Sequence, residues 1–199
     1  MKSLLLVASL LLLAAGCAQR DSMGRGGTST GGSATTGGGS STAQLSTEDM
    51  RFVREAAQSG LAEVRMGQLA MQNAQSEALR SYGQRLVADH TRANEELAQL
   101  ALQKGAPVPM EMDASDRRMI ERLSALSGAE FDRMSQRDAV QAHERDIKLF
   151  QRAAQNCKDP ELRAFAQKTL PILQEHLAMA QQMSSSATTG AGSTSSGQQ

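Results

Sequence analysis

Between residues 46 and 183, apolar residues return every three or four positions and hardly ever every second one. That is the spacing of a helical face, not of a strand. The first stripe is Val53, Ala56, Gly60, Val64, Gly67 and Met71. Ser46 or Thr47 can cap its start, with Glu48 and Asp49 in the first turn. This predicts helix A. Its glycines weaken it as an isolated helix, so their use is expected to be a close approach by a neighbour. Helix B is predicted from Ser76 to Lys104 on the stripe Leu79, Tyr82, Leu86, His90, Ala93, Leu97 and Leu100, with Gly105 placed to end it. Pro107 and Pro109 then impose a loop.

A shorter helix follows from Ala114 to Leu126, with Met119, Ile120, Leu123 and Leu126 on its apolar side. Ser127 and Glu130 have the spacing of a capping box and open helix C, which runs to about Gln155 and carries Phe131, Val140, His143, Ile147 and Phe150. Asp159 and Pro160 open helix D as cap and first helical residue. Its stripe is Leu162, Phe165, Thr169, Ile172, His176, Met179 and Met183, and Pro171 inside it is expected to kink it. Four long helices imply an all-α bundle, with A–B and C–D joined by short turns. The B–C connection is long enough to cross the bundle, so B and C are expected to run parallel.

The flanks read differently. Residues 1–17 have the form of an export signal, with Lys2 before a short apolar run from Leu4 to Ala15. The sequence Leu13-Ala14-Ala15-Gly16-Cys17 resembles a lipobox, which would make Cys17 a lipidated first residue anchored to a membrane without spanning it. Ala18 after it gives no inner-membrane retention signal. The expected location is the periplasmic face of the outer membrane, or the periplasm if the signal is cleaved without lipidation. Residues 18–45 are a Gly/Ser/Thr tether of about 30 Å r.m.s. span, and 184–199 a similar tail.

Composition narrows the chemistry. Aromatic residues are 3% of the chain and the formal net charge is +0, so a broad basic surface for nucleic acid is not expected. Cys157 would have no partner if Cys17 is lipidated or removed, leaving either a small buried residue or a reactive thiol. No Gly-rich phosphate loop, Cys-x-x-Cys or Ser-His-Asp order is present.

All three histidines of the chain fall inside apolar helical stripes. A rise of about 1.5 Å per residue puts His90, His143, His176 and Glu63 at roughly 21, 18, 25 and 24 Å from one end of the bundle. Three imidazoles and a carboxylate from four helices thus share one level. Such a set can hold a divalent transition metal. Asp89 and Glu175, beside two of the histidines, are candidate further ligands or supports. The other reading is a buried polar cluster in which neutral imidazoles bond one another, Glu63, Tyr82 or water. Glu-x-x-His pairs are absent, since Val87, Val140 and Leu173 stand three residues before the histidines, so a standard di-iron carboxylate site is not expected.

Several stretches together resemble a bacterial family of domains of unknown function, numbered 4142. They are Phe52-Val53, Gly60-Leu61-Ala62-Glu63-Val64, Gly67-Gln68-Leu69-Ala70, Asp89-His90 with Glu96-Leu97, Phe131-Asp132, His143 with Phe150, and Leu170-Pro171 with His176. The resemblance covers about residues 46–183. It implies an exported, ferritin-like four-helix domain with a short extra helix in the B–C crossover. Members are often described as outer-membrane proteins, and the family's histidines and helix-A glutamate match His90, His143, His176 and Glu63. The chain departs at Ala142, where Asp is common, and at Ser135, where Tyr is common. The family implies no activity. Three functions remain open: a non-catalytic, lipid-anchored helical protein serving stress tolerance or envelope maintenance, a metal-binding or redox protein built on the histidines, or a partner-binding module that meets another protein through its Met-rich helix ends. No protein partner is legible.

Overall fold

The computed structural model describes residues 44–190, with side chains as far as residue 183. Cys17, the export signal and nearly all of the tether lie outside that range. The described residues form five helices and no strand: α1 Thr47–Asn73, α2 Glu77–Gln103, α3 Ala114–Ser124, α4 Gly128–Asn156 and α5 Pro160–Gly190. None of them is long and apolar enough to cross a membrane.

The helix starts follow from short polar side chains. Ser46 Oγ accepts from the Asp49 amide at 3.1 Å, and Asp113 caps α3 by accepting from the Ser115 and Asp116 amides. Asp159 accepts from Glu161 and Leu162 at the start of α5. Each bond satisfies an amide that the helix itself leaves unpaired. Ser127 precedes α4, but its side chain makes no capping bond, contrary to the capping-box expectation. Gly105, at φ 65°, follows α2 in the left-handed conformation suited to glycine. The helix α5 continues through Pro171 and runs to Gly190, beyond the stop expected at 183. Helix propagation needs only one further bond per residue, and no proline or glycine interrupts 184–189.

α1 lies antiparallel to α2. Residue pairs across the contact fall in α2 number as they rise in α1: Gly60 faces Asn94, Glu63 faces His90, and Gly67 faces Gly83. At Gly67 and Gly83 the backbones come so close that a Cβ on either would lie 2.6 Å from the other's carbonyl oxygen. The expected close approach is therefore real, and Gly83 is its partner on α2. The ion pairs Arg85–Glu175 at 2.7 Å, Glu96–Lys168 at 2.6 Å and Lys104–Asp159 at 2.8 Å run antiparallel between α2 and α5. Phe52–Phe150 and Glu63–His143 do so between α1 and α4. α2 and α4 consequently run parallel, and the segment joining them, with α3 inside it, spans the length of the molecule. α3 rests on α1 and α4 and buries Ile120 and Leu123.

Each short turn is held by an aspartate from the other helical hairpin. Asp132 on α4 accepts from the Gln75 and Ser76 amides at 2.9 and 2.8 Å. Asp49 on α1 accepts from Lys158 and Asp159 at 2.9 and 3.3 Å. Cys157, at the end of α4, is buried beside Asp49, and burial followed by that carboxylate pushes its thiol up to about 12. It is a packed, unreactive residue.

The buried face of α1 differs from the expected stripe. Met71 is 40% exposed, whereas Glu63 is 2% exposed and points inward. Glycines at 60 and 67 face α2, so the interior is lined by Phe52, Ala56, Glu63, Met66 and Ala70.

Candidate metal centre

Two apolar cores flank a polar layer. At one end Phe52, Phe150 and Phe165 pack with Leu97, Leu162 and Leu173, and at the other Tyr82, Phe131, Leu79 and Leu86 pack with Met66 and Leu123. Between them α2, α4 and α5 bring His90, His143 and His176 together, with 5%, 0% and 0% exposure. Ring centroids are 5.8 Å apart for His90–His143, 5.2 Å for His90–His176 and 5.3 Å for His143–His176.

Burial, above all other influences, pulls the His90 and His176 pKa values down to about 4 and lowers that of His143 as well. At neutral pH each ring is uncharged, with one N–H and one lone pair. The N–H groups are all used. His90 Nδ1 lies 2.9 Å from Glu63 Oε2, His143 Nδ1 is 2.9 Å from the Ala139 carbonyl, and His176 Nε2 is 3.0 Å from Asp89 Oδ2. A carbonyl can only accept, so His143 carries its proton on Nδ1. The opposite nitrogens, His90 Nε2, His143 Nε2 and His176 Nδ1, have no hydrogen-bond partner. One nitrogen from each ring lies within 4.8 Å of one from each of the others.

This is the arrangement found around bound metals, where one imidazole nitrogen faces the ion and the other is fixed by a carboxylate or carbonyl. Bonds of about 2.1 Å in a tetrahedral site would set nitrogens roughly 3.4 Å apart, so the rings need only a modest contraction. Glu63 Oε1 is also unpartnered and stands 3.3 Å from His143 Nε2. Two lone-pair atoms facing each other in a dry interior repel unless a cation or a proton separates them. The three imidazoles therefore fit a transition-metal ion, and the Glu63 carboxylate stands beside two of them, His90 and His143.

All four residues expected from the sequence meet here. Glu175 does not: it pairs with Arg85 at 2.7 Å and its side chain is 52% exposed. Asp89 supports His176. Burial raises its carboxyl, but bonds from His176 and Arg85 outweigh that and hold it below the ordinary range.

Two further residues belong to the layer. Asp146 is 5% exposed and lies against Glu63, and burial, then the Glu63 charge, raises its carboxyl well above the usual range. Burial raises Glu63 too, opposed chiefly by His143. The sequence signal for Asp146 is its place three residues after His143, on the same helical face. A search for carboxylates placed before histidines passes over it. Tyr82 is 1% exposed, its hydroxyl has no partner, and its ring lies 6.4 and 6.3 Å from His143 and His176. Burial, reinforced by Glu63, raises its phenol far above the usual value, so it stays protonated.

The class defined by this fold and site is an all-helical protein with a buried histidine cluster between two apolar cores. The chain belongs to the family described as Domain of unknown function (DUF4142), whose model matches residues 34–183. No curated protein matches it. Two solved structures are similar. "Crystal structure of DUF305 fragment from Deinococcus radiodurans" has a TM-score of 0.63 at 13% identity, covering 71% of this chain and 98% of that one. "CopM in the Cu(II)-bound form" has a TM-score of 0.60 at 19% identity, covering 69% of this chain and 96% of that one. At these identities the likeness is one of fold.

Proposed function

We propose that this chain is an exported, lipid-anchored protein of the bacterial envelope, a ferritin-like four-helix bundle with a short helix in its crossover. In this reading it binds one transition-metal ion through His90, His143 and His176, with Glu63 as the fourth donor. Its role is to hold the ion rather than to catalyse a reaction, in keeping with a site enclosed by side chains that are almost wholly buried. When bound, the ion supplies the positive charge that the facing lone pairs call for.

The observation that carries this reading is the set of three unpartnered imidazole nitrogens, each on a ring whose other nitrogen is fixed by Glu63, Ala139 or Asp89. A merely structural cluster would be expected to direct N–H groups of one ring at lone pairs of the next. Copper is the first ion to try, because imidazole suits it and a structure of similar fold is described as Cu(II)-bound. Elemental analysis of the purified protein, with calorimetric titration of Cu, Zn, Mn and Fe in non-chelating buffer, tests the reading. A one-to-one complex lost in His176→Ala is expected. Equal, weak binding by wild type and variant would overturn it.

A further inference from the structure

An ion held by His90, His143 and His176 has to pass through a packed bundle to reach them. Along the bundle axis the way is shut. Leu86 and Leu173, one helical turn from His90 and His176, are fully buried in the two apolar cores. The ion must therefore come sideways, between helices. The α1–α2 seam is closed by the backbone contact of Gly67 with Gly83. The α1–α4 seam lies under α3. His143 and His176 are wholly buried, so solvent does not reach them between α4 and α5. The α2–α5 seam is on the side away from α3. It is also where the layer meets solvent. Of the groups that fix the second nitrogen of each ring, Glu63 on α1 and Ala139 on α4 are buried. Asp89 on α2, bonded to His176 on α5 at 3.0 Å, has its side chain 16% exposed.

The side chain that spans this seam over Asp89 is that of Arg85. It sits one turn before Asp89 on α2 and reaches Asp89 Oδ2 at 3.4 Å with Nε. With Nη2 it reaches Glu175 Oε2 on α5 at 2.7 Å, and Glu175 is the residue next to His176. Arg92 also approaches Asp89, at 3.6 Å, from the same helix. Arg85 and Glu175 have side chains 42% and 52% exposed. A pair so exposed is weak and opens without disturbing the helices.

We propose that Arg85 is a strap over the ion site. Bridged from α2 to Glu175 on α5, it closes the edge at Asp89 through which an ion reaches His176, and its release sets how fast the ion enters and leaves. This inference rests on the metal-binding reading above and concerns the kinetics of that site. A side-chain bridge that must open before passage governs both rates together.

The test follows Co(II), whose visible absorption reports coordination, by stopped flow on the full metal-free chain and then by release into excess chelator. Wild type, Glu175→Gln and Arg85→Ala are compared, with Lys168→Ala and Arg145→Ala as controls. Lys168 carries another pair across the same seam, to Glu96, and Arg145 a pair to Asp116 on the side of α3. Circular dichroism melts establish that each variant is folded. Glu175→Gln and Arg85→Ala should speed uptake and release by about two- to fivefold, the factor by which an exposed ion pair biases an equilibrium. In Glu175→Gln both rates should rise equally, leaving Kd unchanged, and the controls should keep wild-type rates. Unchanged rates in Glu175→Gln and Arg85→Ala overturn the inference while leaving the binding reading intact. So does equal acceleration in either control, which would mean general loosening or another route. A weaker Kd in Glu175→Gln without faster uptake also overturns it. Wild type giving no Co(II) signal defeats both.

Discussion

Two aromatic triads sit in one helical framework. Phe52, Phe150 and Phe165 meet with centroids 5.2, 6.3 and 6.0 Å apart. His90, His143 and His176 meet at nearly the same separations, and the two triads share α4 and α5. The phenylalanine triad is complete as it stands, because apolar rings need only contact and exclusion of water. The histidine triad is equally buried but leaves one nitrogen of each ring without a partner. Equal packing with unequal satisfaction separates a core from a site. Unsatisfied polar atoms in a dry layer cost stability unless something else occupies it.

The largest difference between the triads should appear with acid. Below pH 6.5 the imidazoles of the unfolded chain gain protons that folded His90 and His176 refuse until about pH 4. The unfolded state then binds more protons, so stability falls as pH drops through that window, by about 3 kcal/mol per ring. Asp146 acts in the opposite sense: its raised folded pKa contributes stability at low pH that is lost as pH rises. Asp146→Asn should therefore show a steeper acid fall than wild type in urea unfolding at pH 6.5, 5.5 and 4.5. An identical slope would mean the two carboxyls and the rings do not share one environment.

Phe150→Ala should lower stability by about 3–5 kcal/mol at any pH in that range, the loss typical of removing a buried aromatic ring. Its acid slope should match that of wild type, which would show that the two triads are independent.

Adding an ion to about 100 times its dissociation constant should raise stability by about 2.7 kcal/mol. Phe150→Ala should keep that increment and His176→Ala should lose it. A His176→Ala protein stabilised as strongly as wild type would place the ion elsewhere.

The smallest effect concerns the framework beneath both triads. A Cβ at Gly83 meets the Gly67 carbonyl at 2.6 Å and Ala70 Cβ at 2.8 Å, so Gly83→Ala must spread α1 from α2, at a loss of about 1–3 kcal/mol. A Cβ at Gly60 meets only the end of the Asn94 side chain, which can turn away. Its helix-propensity gain of about 1 kcal/mol should leave Gly60→Ala close to wild type. Equilibrium unfolding of the two variants decides whether the contact at Gly67 and Gly83 sets the spacing.

Much of this was legible along the chain. Ser46, Ser76 and Asp159 mark helix starts because short polar side chains satisfy free amides locally. The stripe of α2 is buried as its spacing requires, from Leu79 through His90 to Leu97. The face of α1 was harder to read. Val64 and Met71 match the period as well as Glu63 and Met66 do, and the glycines that turn the helix act only through a partner backbone. Asp132 and Asp49 look like ordinary surface acids in sequence, yet each clasps a turn 56 or more residues away.

By itself the sequence determined an all-helical chain with its three histidines on inward faces, because helical periodicity and capping are local properties. The tertiary structure alone decided which nitrogen of each ring is held and which is left free. It also brought Asp146 beside Glu63 and turned Glu175 outward to Arg85. Those outcomes depend on the rotation and height of helices far apart in sequence, set by backbone approach at Gly67 and Gly83 and by packing of the two apolar cores.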